Sequence, residues 1–149
     1  MAEPKSGIMA GKRGLIMGVA NDRSLAWGIA QAIAAQGGEI AFSFQGEALE
    51  KRVRPLAESL GADFLIECDV ADPASMDAAF ATLAARWPTI DFVVHAIGFS
   101  DKNELRGRYV DTSRQNFLMT MDISVYSFTA VSQRAVPLMG AGGRIIAMS

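Results

Sequence analysis

Cysteine and histidine occur once each in the 149 residues, as Cys68 and His95, which excludes an internal disulfide and leaves a structural zinc site short of ligands. The plain reading of Cys68 is a small buried thiol at the end of a strand. Positive charge is not in excess either: 14 Lys and Arg against 16 Asp and Glu give a net charge of -2, so no broad field gathers nucleic acid or an anionic membrane surface. No apolar run approaches the roughly 18 to 20 residues of a membrane span. The opening stretch from Met1 to Arg13 is polar and glycine-containing, without the continuous apolar core of a secretory signal, so a soluble cytoplasmic protein is expected. Fixed-period repeats, low-complexity tracts and linkers are lacking as well. What is present is apolar: half the residues are hydrophobic, enough to bury one core in one globular unit.

Short apolar runs alternate with longer stretches of helical period, the pattern of βαβ units around a parallel sheet buried on both faces. Gly14 to Val19 reads as the first strand and Leu25 to Gln36 as a helix, with Leu25, Ile29 and Ile33 stacked four apart until Gly37 and Gly38 stop it. Glu39 to Phe44 is a second strand, and the next helix carries Leu49, Val53, Leu56 and Leu60 on one face, with Pro55 in mild conflict. Asp63 to Glu67 is a third strand. Asp72 then caps a helix that begins at Pro73, has Met76, Phe80, Leu83 and Trp87 as its buried stripe, and is closed by Pro88. Ile90 to Ile97 is a fourth strand; a polar loop leads to a long helix from about Ser113 to Met139 bearing Phe117, Met121, Phe128, Val131 and Leu138; Arg144 to Ser149 is a fifth strand. The fold class is therefore α/β, a Rossmann-like doubly wound parallel sheet in the order 3-2-1-4-5. The division is a polar N-terminal arm over 1-12 and a dinucleotide-binding domain over 13-149.

Such a sheet binds ligands outside the carboxyl ends of its strands, where strands one and four diverge. The first strand ends in Gly18 and the next helix starts near Leu25, so a glycine turn faces the positive end of a helix, where backbone N–H groups can hold a pyrophosphate. The stretch GVANDRSLAWGIA is not the common G-x-G-x-x-G pattern; Ser24 stands where a glycine might be expected, flanked by Gly18 and Gly28, and a plain turn with Ser24 as N-cap fits equally well.

The spacing becomes informative beside Gln45 after strand two, CDVAD at 68 to 72, HAIGF at 95 to 99 and DISVYSF at 122 to 128, each at the end of a different strand or on the following helix. Together these segments resemble the bacterial enoyl-acyl-carrier-protein reductases, a divergent branch of the short-chain dehydrogenases, from about Gly11 to Ser149. The resemblance implies that Gly18, Ser24 and Leu25 line the pyrophosphate and ribose, that Asp69 and Val70 contact the adenine, and that Ile97 and Gly98 border the nicotinamide ribose. It places Phe99 and Ser100 at the acyl pocket. Asp69 also fits a turn carboxylate, and Ser100 an ordinary loop residue. Gln45, Gly46 and Glu47 follow strand two where a ribose phosphate would want a cation, which favours NADH over NADPH; Lys51 and Arg52 read as a solvated helix face. The lone His95, at the end of an apolar strand, reads as a structural imidazole.

The implied reaction is NADH-dependent reduction of a trans-2-enoyl thioester carried by acyl carrier protein, by hydride transfer to the β-carbon in fatty-acid synthesis, in a homotetramer. The family's catalytic tyrosine and its lysine, seven residues apart, come after strand five. Neither is expected among these residues, so the chain reads as a domain incomplete at its carboxyl end. Ala96 and Met17 stand where many members have serine and threonine. Two other readings remain open: another short-chain dehydrogenase acting on a carbonyl or alcohol, and a noncatalytic dinucleotide-binding module.

Overall fold

The computed structural model describes residues 7–149. Five strands, β1 (Arg13–Met17), β2 (Glu39–Phe44), β3 (Phe64–Glu67), β4 (Phe92–His95) and β5 (Arg144–Ala147), pair in parallel in the order β3-β2-β1-β4-β5. The anticipated order is the one found. Each strand begins or ends a residue or two inside its sequence limits, except β2, which matches. The register sets Leu15 beside both Ala41 and Val93, and Met17 beside His95, so the strand ends are level along one edge.

The two-residue period sends alternate side chains to opposite faces. Leu15 and Met17 join Ile66, Phe80, Leu83, Val93 and Val131 on one side. Ile16, Phe42 and Val94 join Trp27, Ala30, Val53 and Ala57 on the other. A sheet covered on both sides explains why its strands are runs of apolar residues without alternation.

The helices between strands are α1 (Leu25–Ala35), α2 (Glu47–Ser59) and α3 (Pro73–Arg86). In α3, Asp72 accepts a hydrogen bond from the Ala74 N–H at 2.9 Å with Pro73 in the first turn, as the sequence suggests. Pro55 sits inside α2; it and Lys51, whose carbonyl it leaves without a helical donor, are both solvent-exposed, so that carbonyl is open to solvent. The stripe expected on α1 needs correcting. Leu25 is exposed, Ile29 and Ile33 are half-buried, and the face against the sheet is Ala26, Trp27 and Ala30. Small side chains let this helix approach the sheet closely, with Trp27 filling the remaining space against Phe42.

The long helix also differs from expectation. It is built from α4 (Arg114–Met121), a π turn over Asp122–Tyr126, α5 (Ser127–Ala135) and a 3-10 turn over Val136–Leu138. Phe117 and Met121 lie exposed, while Val131 is fully buried. The expected arm divides too: its residues 1–6 lie outside the described residues, whereas Met9 is folded in, its N–H donating to the Gln36 carbonyl at 3.0 Å and its side chain packed near α1.

Candidate functional site

A cavity of about 370 Å³ opens at the carboxyl ends of β1 to β4. Its walls come from four consecutive strand ends: Gly18 to Ala20, Ser43 to Gln45, Cys68 to Ala71, and Ala96 to Phe99, with Leu49 of α2 and Ile123 of the π turn closing two sides. This is the position the topology dictates, because the chain leaves β1 towards β2 on one side while β4 lies on the other.

Gly18 makes the tightest approach. It has φ of 108°, and a Cβ added there would stand 2.0 Å from the Ala96 carbonyl oxygen. No other residue type fits that turn, which keeps the ends of β1 and β4 together and the cavity floor free of side chain. Beyond it, Ser24 turns back on the loop: its Oγ accepts from the N–H groups of Ala20 at 3.0 Å and Asn21 at 3.1 Å. It makes no side-chain cap to α1, whose first turn carries no acidic residue. The first amides of the helix and the positive end of its dipole are thus left for a ligand.

At the other end, Gln45 Nε2 donates to Asp69 Oδ2 at 3.3 Å, bridging the ends of β2 and β3. Asp69 Oδ1 accepts from the Ala71 N–H at 2.9 Å, so the carboxylate both builds the local turn and faces the cavity. Cys68 lies buried between them; burial first, and the Asp69 charge second, push its thiol up to about 11, so it stays protonated at neutral pH.

Of the residues proposed from sequence, Gly18, Gln45, Asp69, Val70, Ile97, Gly98 and Phe99 line this cavity; Ser24, Leu25 and Ser100 do not. Leu25 points its side chain to solvent and could contribute only its backbone N–H. Ser100 is drawn away, accepting from Asn116 Nδ2 at 3.2 Å and Thr120 Oγ1 at 3.0 Å. Sequence reasoning did not single out Phe44, Leu49, Ala71 or Ile123 as cavity residues. The strand ends carried the signal for Phe44 and Ala71, since each adjoins a position already chosen.

His95 is 1% exposed, stacked edge-on to Phe128, with Nε2 2.7 Å from Ser127 Oγ. Ser127 spends its one proton on the Ile123 carbonyl at 2.6 Å, so the histidine donates to it from Nε2. Burial lowers its pKa from the ordinary 6.5. Below pH 6.5 the unfolded chain therefore takes up a proton that the folded one resists. His95 contributes stability at pH 7 that is progressively lost as pH falls from 6.5 towards the depressed native value. The urea midpoint of the wild type should fall over that window more steeply than that of His95→Gln, which keeps a donor without the titration; parallel profiles would show that the imidazole is not the source.

Comparison with known proteins matches this architecture throughout. A family model described as Enoyl-(Acyl carrier protein) reductase covers residues 18–149. Enoyl-[acyl-carrier-protein] reductase [NADH] 1 of Rhizobium meliloti is 62% identical over 97% of this chain and 53% of its own length. Among solved structures, the enoyl-(acyl-carrier-protein) reductase of Anaplasma phagocytophilum in complex with NAD superimposes with a TM-score of 0.94 at 55% identity, over 99% of this chain and 56% of that one. FabI of Candidatus Liberibacter asiaticus gives 0.93 at 56% identity, over 95% and 55%. The chain spans about half the length of the curated relatives it matches. With the glycine turn, the open helix end and the four-strand cavity, the match over residues 18–149 establishes that the chain belongs to the enoyl-(acyl carrier protein) reductase family.

Proposed function

We propose that these residues form the NADH-binding half of an enoyl-thioester reductase acting on acyl-carrier-protein substrates in fatty-acid synthesis. The observation that carries the reading is the cavity itself, set at the reversal of strand order in a chain of this family. Its donors suit a dinucleotide. The uncapped first turn of α1 suits a pyrophosphate, with Gly18 leaving room for it; Gln45, Asp69 and Val70 suit the adenosine; Ile97, Gly98 and Phe99 suit the nicotinamide end. The dinucleotide, when bound, supplies the hydride delivered to the β-carbon of the enoyl thioester.

NADH is favoured over NADPH by charge. Glu47 opens α2 directly after Gly46, and the Lys51 ammonium is held on the Glu47 carboxylate at 2.7 Å instead of standing free for a ribose phosphate. The homotetrameric state and the cytoplasmic setting come with the resemblance. No described helix is long and apolar enough to cross a membrane.

A second reading, a module that binds dinucleotide without chemistry, has one observation in its favour. The ionisable side chains lining the cavity are Cys68, kept protonated, and Asp69, tied into its turn, while Tyr109 and Tyr126 lie exposed elsewhere. These residues bind and orient; proton transfer needs other groups. Titrating the protein with NADH while following cofactor fluorescence, then joining these residues to the carboxyl-terminal half of the Rhizobium meliloti relative, adding crotonyl thioester and following absorbance at the reduced-cofactor band, separates the readings. Saturable binding followed by oxidation supports the reductase. Binding without oxidation supports the module, and no binding sinks both.

A further inference from the structure

The helix face that meets the end of β4 is polar where a layer helix is ordinarily apolar. Asn116, Thr120, Ser124 and Ser127 follow one another along it, and each clasps a successive point of the segment from His95 to Asp101. Ser127 meets His95; Ser124 meets Phe99; Thr120 meets Ser100; Asn116 Oδ1 accepts the Asp101 N–H at 3.0 Å. Ser124 is the only one of the four that grips the cavity wall through both groups of a single residue: its Oγ accepts from the Phe99 N–H at 3.0 Å and donates to the Phe99 carbonyl at 3.2 Å.

The π turn explains how Ser124 gets there. At the α-helical advance Ser124, eight residues on from Asn116, would stand about 80° round from it, at the edge of a common face. The wider turn over Asp122–Tyr126 advances less per residue, cuts that drift, and also brings Ile123 to the cavity. Phe99 has no other support of this kind: it is 55% exposed, on a loop without regular structure.

We infer that Ser124 is a positioning residue that fixes the Gly98–Phe99–Ser100 backbone at the nicotinamide end of the cavity, and that the π turn serves to deliver it. The inference rests on the dinucleotide reading, and it predicts an effect on one half of the ligand only. On that reading the adenosine meets the ends of β2 and β3, on the far side of Gly18 from Phe99.

The test compares NADH with ADP, which lacks the nicotinamide ribose, on the wild type, Ser124→Ala, Ser124→Thr and Ser127→Ala. Ser124→Ala should weaken NADH about tenfold, the scale of one hydrogen-bonding group, while leaving ADP unchanged. Ser124→Thr keeps the hydroxyl and should bind NADH as the wild type does. Ser127→Ala, which loses the bonds to His95 and to the Ile123 carbonyl but none to Phe99, should lower the melting temperature without changing the ratio of the two affinities. Equal losses for both ligands in Ser124→Ala, no loss at all, or a threonine variant as weak as alanine would overturn the positioning role. A wild type that binds ADP but not NADH would also overturn it, and one that binds neither would remove the dinucleotide reading on which it stands.

Discussion

Alanine in place of Gly18 is expected to abolish dinucleotide binding and to destabilise the fold by more than about 3 kcal/mol, because two independent penalties coincide. The backbone φ of 108° is one that side-chain-bearing residues rarely adopt, and the new Cβ would collide with the Ala96 carbonyl at 2.0 Å. Relief requires the end of β1 to draw away from β4, which opens the cavity floor. Thermal unfolding with and without NADH measures both consequences: a lowered midpoint, and no upward shift on adding the cofactor. The matched control is Gly28→Ala. Gly28 lies inside α1 with nothing within 4 Å of an added Cβ, so alanine there should be neutral or stabilise by up to about 1 kcal/mol through helix propensity. A Gly18 variant that melts and binds as the wild type does would remove the close approach from the account of the site.

These two glycines flank Ser24 in the sequence and look alike there, and the contrast marks the limit of what the sequence discloses. Period and punctuation were readable: apolar runs gave the strands, Asp72 and Pro73 gave the start of α3, and crossover handedness gave the sheet order, which in turn placed the cavity at the strand ends. Those features are local or follow from chain topology. What escaped depends on close packing. Ala26, Trp27 and Ala30 take the buried face of α1 in place of Leu25 and Ile33, because two small side chains and one large one fit the surface that Phe42 and its neighbours present, a match no periodicity encodes. The π turn escaped because its residues have ordinary helical propensities, and the bonds between Ser124 and Phe99 that accompany it join positions 25 residues apart. Ser24 and Ser100 were chosen for position along the chain, yet the structure occupies both hydroxyls internally, with Ala20 and Asn21 in one case and Asn116 and Thr120 in the other.

Phe42→Ala should be comparably destabilising but different in kind. Phe42 is fully buried in β2, against Trp27 at 6.4 Å between ring centroids, and truncation there should lower stability by about 3 to 5 kcal/mol through lost transfer energy and the cavity left behind. Yet it faces away from the site. The two-residue period of β2 sends Ser43 to the cavity wall and Phe42 to the opposite layer, so the ligand contacts of the folded state are intact. A ligand that binds only the folded chain adds about 2.7 kcal/mol at a hundred times its dissociation constant, and NADH should therefore recover much of the lost stability in Phe42→Ala and none in Gly18→Ala. If alanine at 42 leaves too little folded protein to titrate, Phe42→Leu should carry the same rescue on a smaller loss of about 1 kcal/mol. Rescue of Gly18→Ala, or failure to rescue either Phe42 variant, would mean that the dinucleotide does not sit where β1 and β4 part.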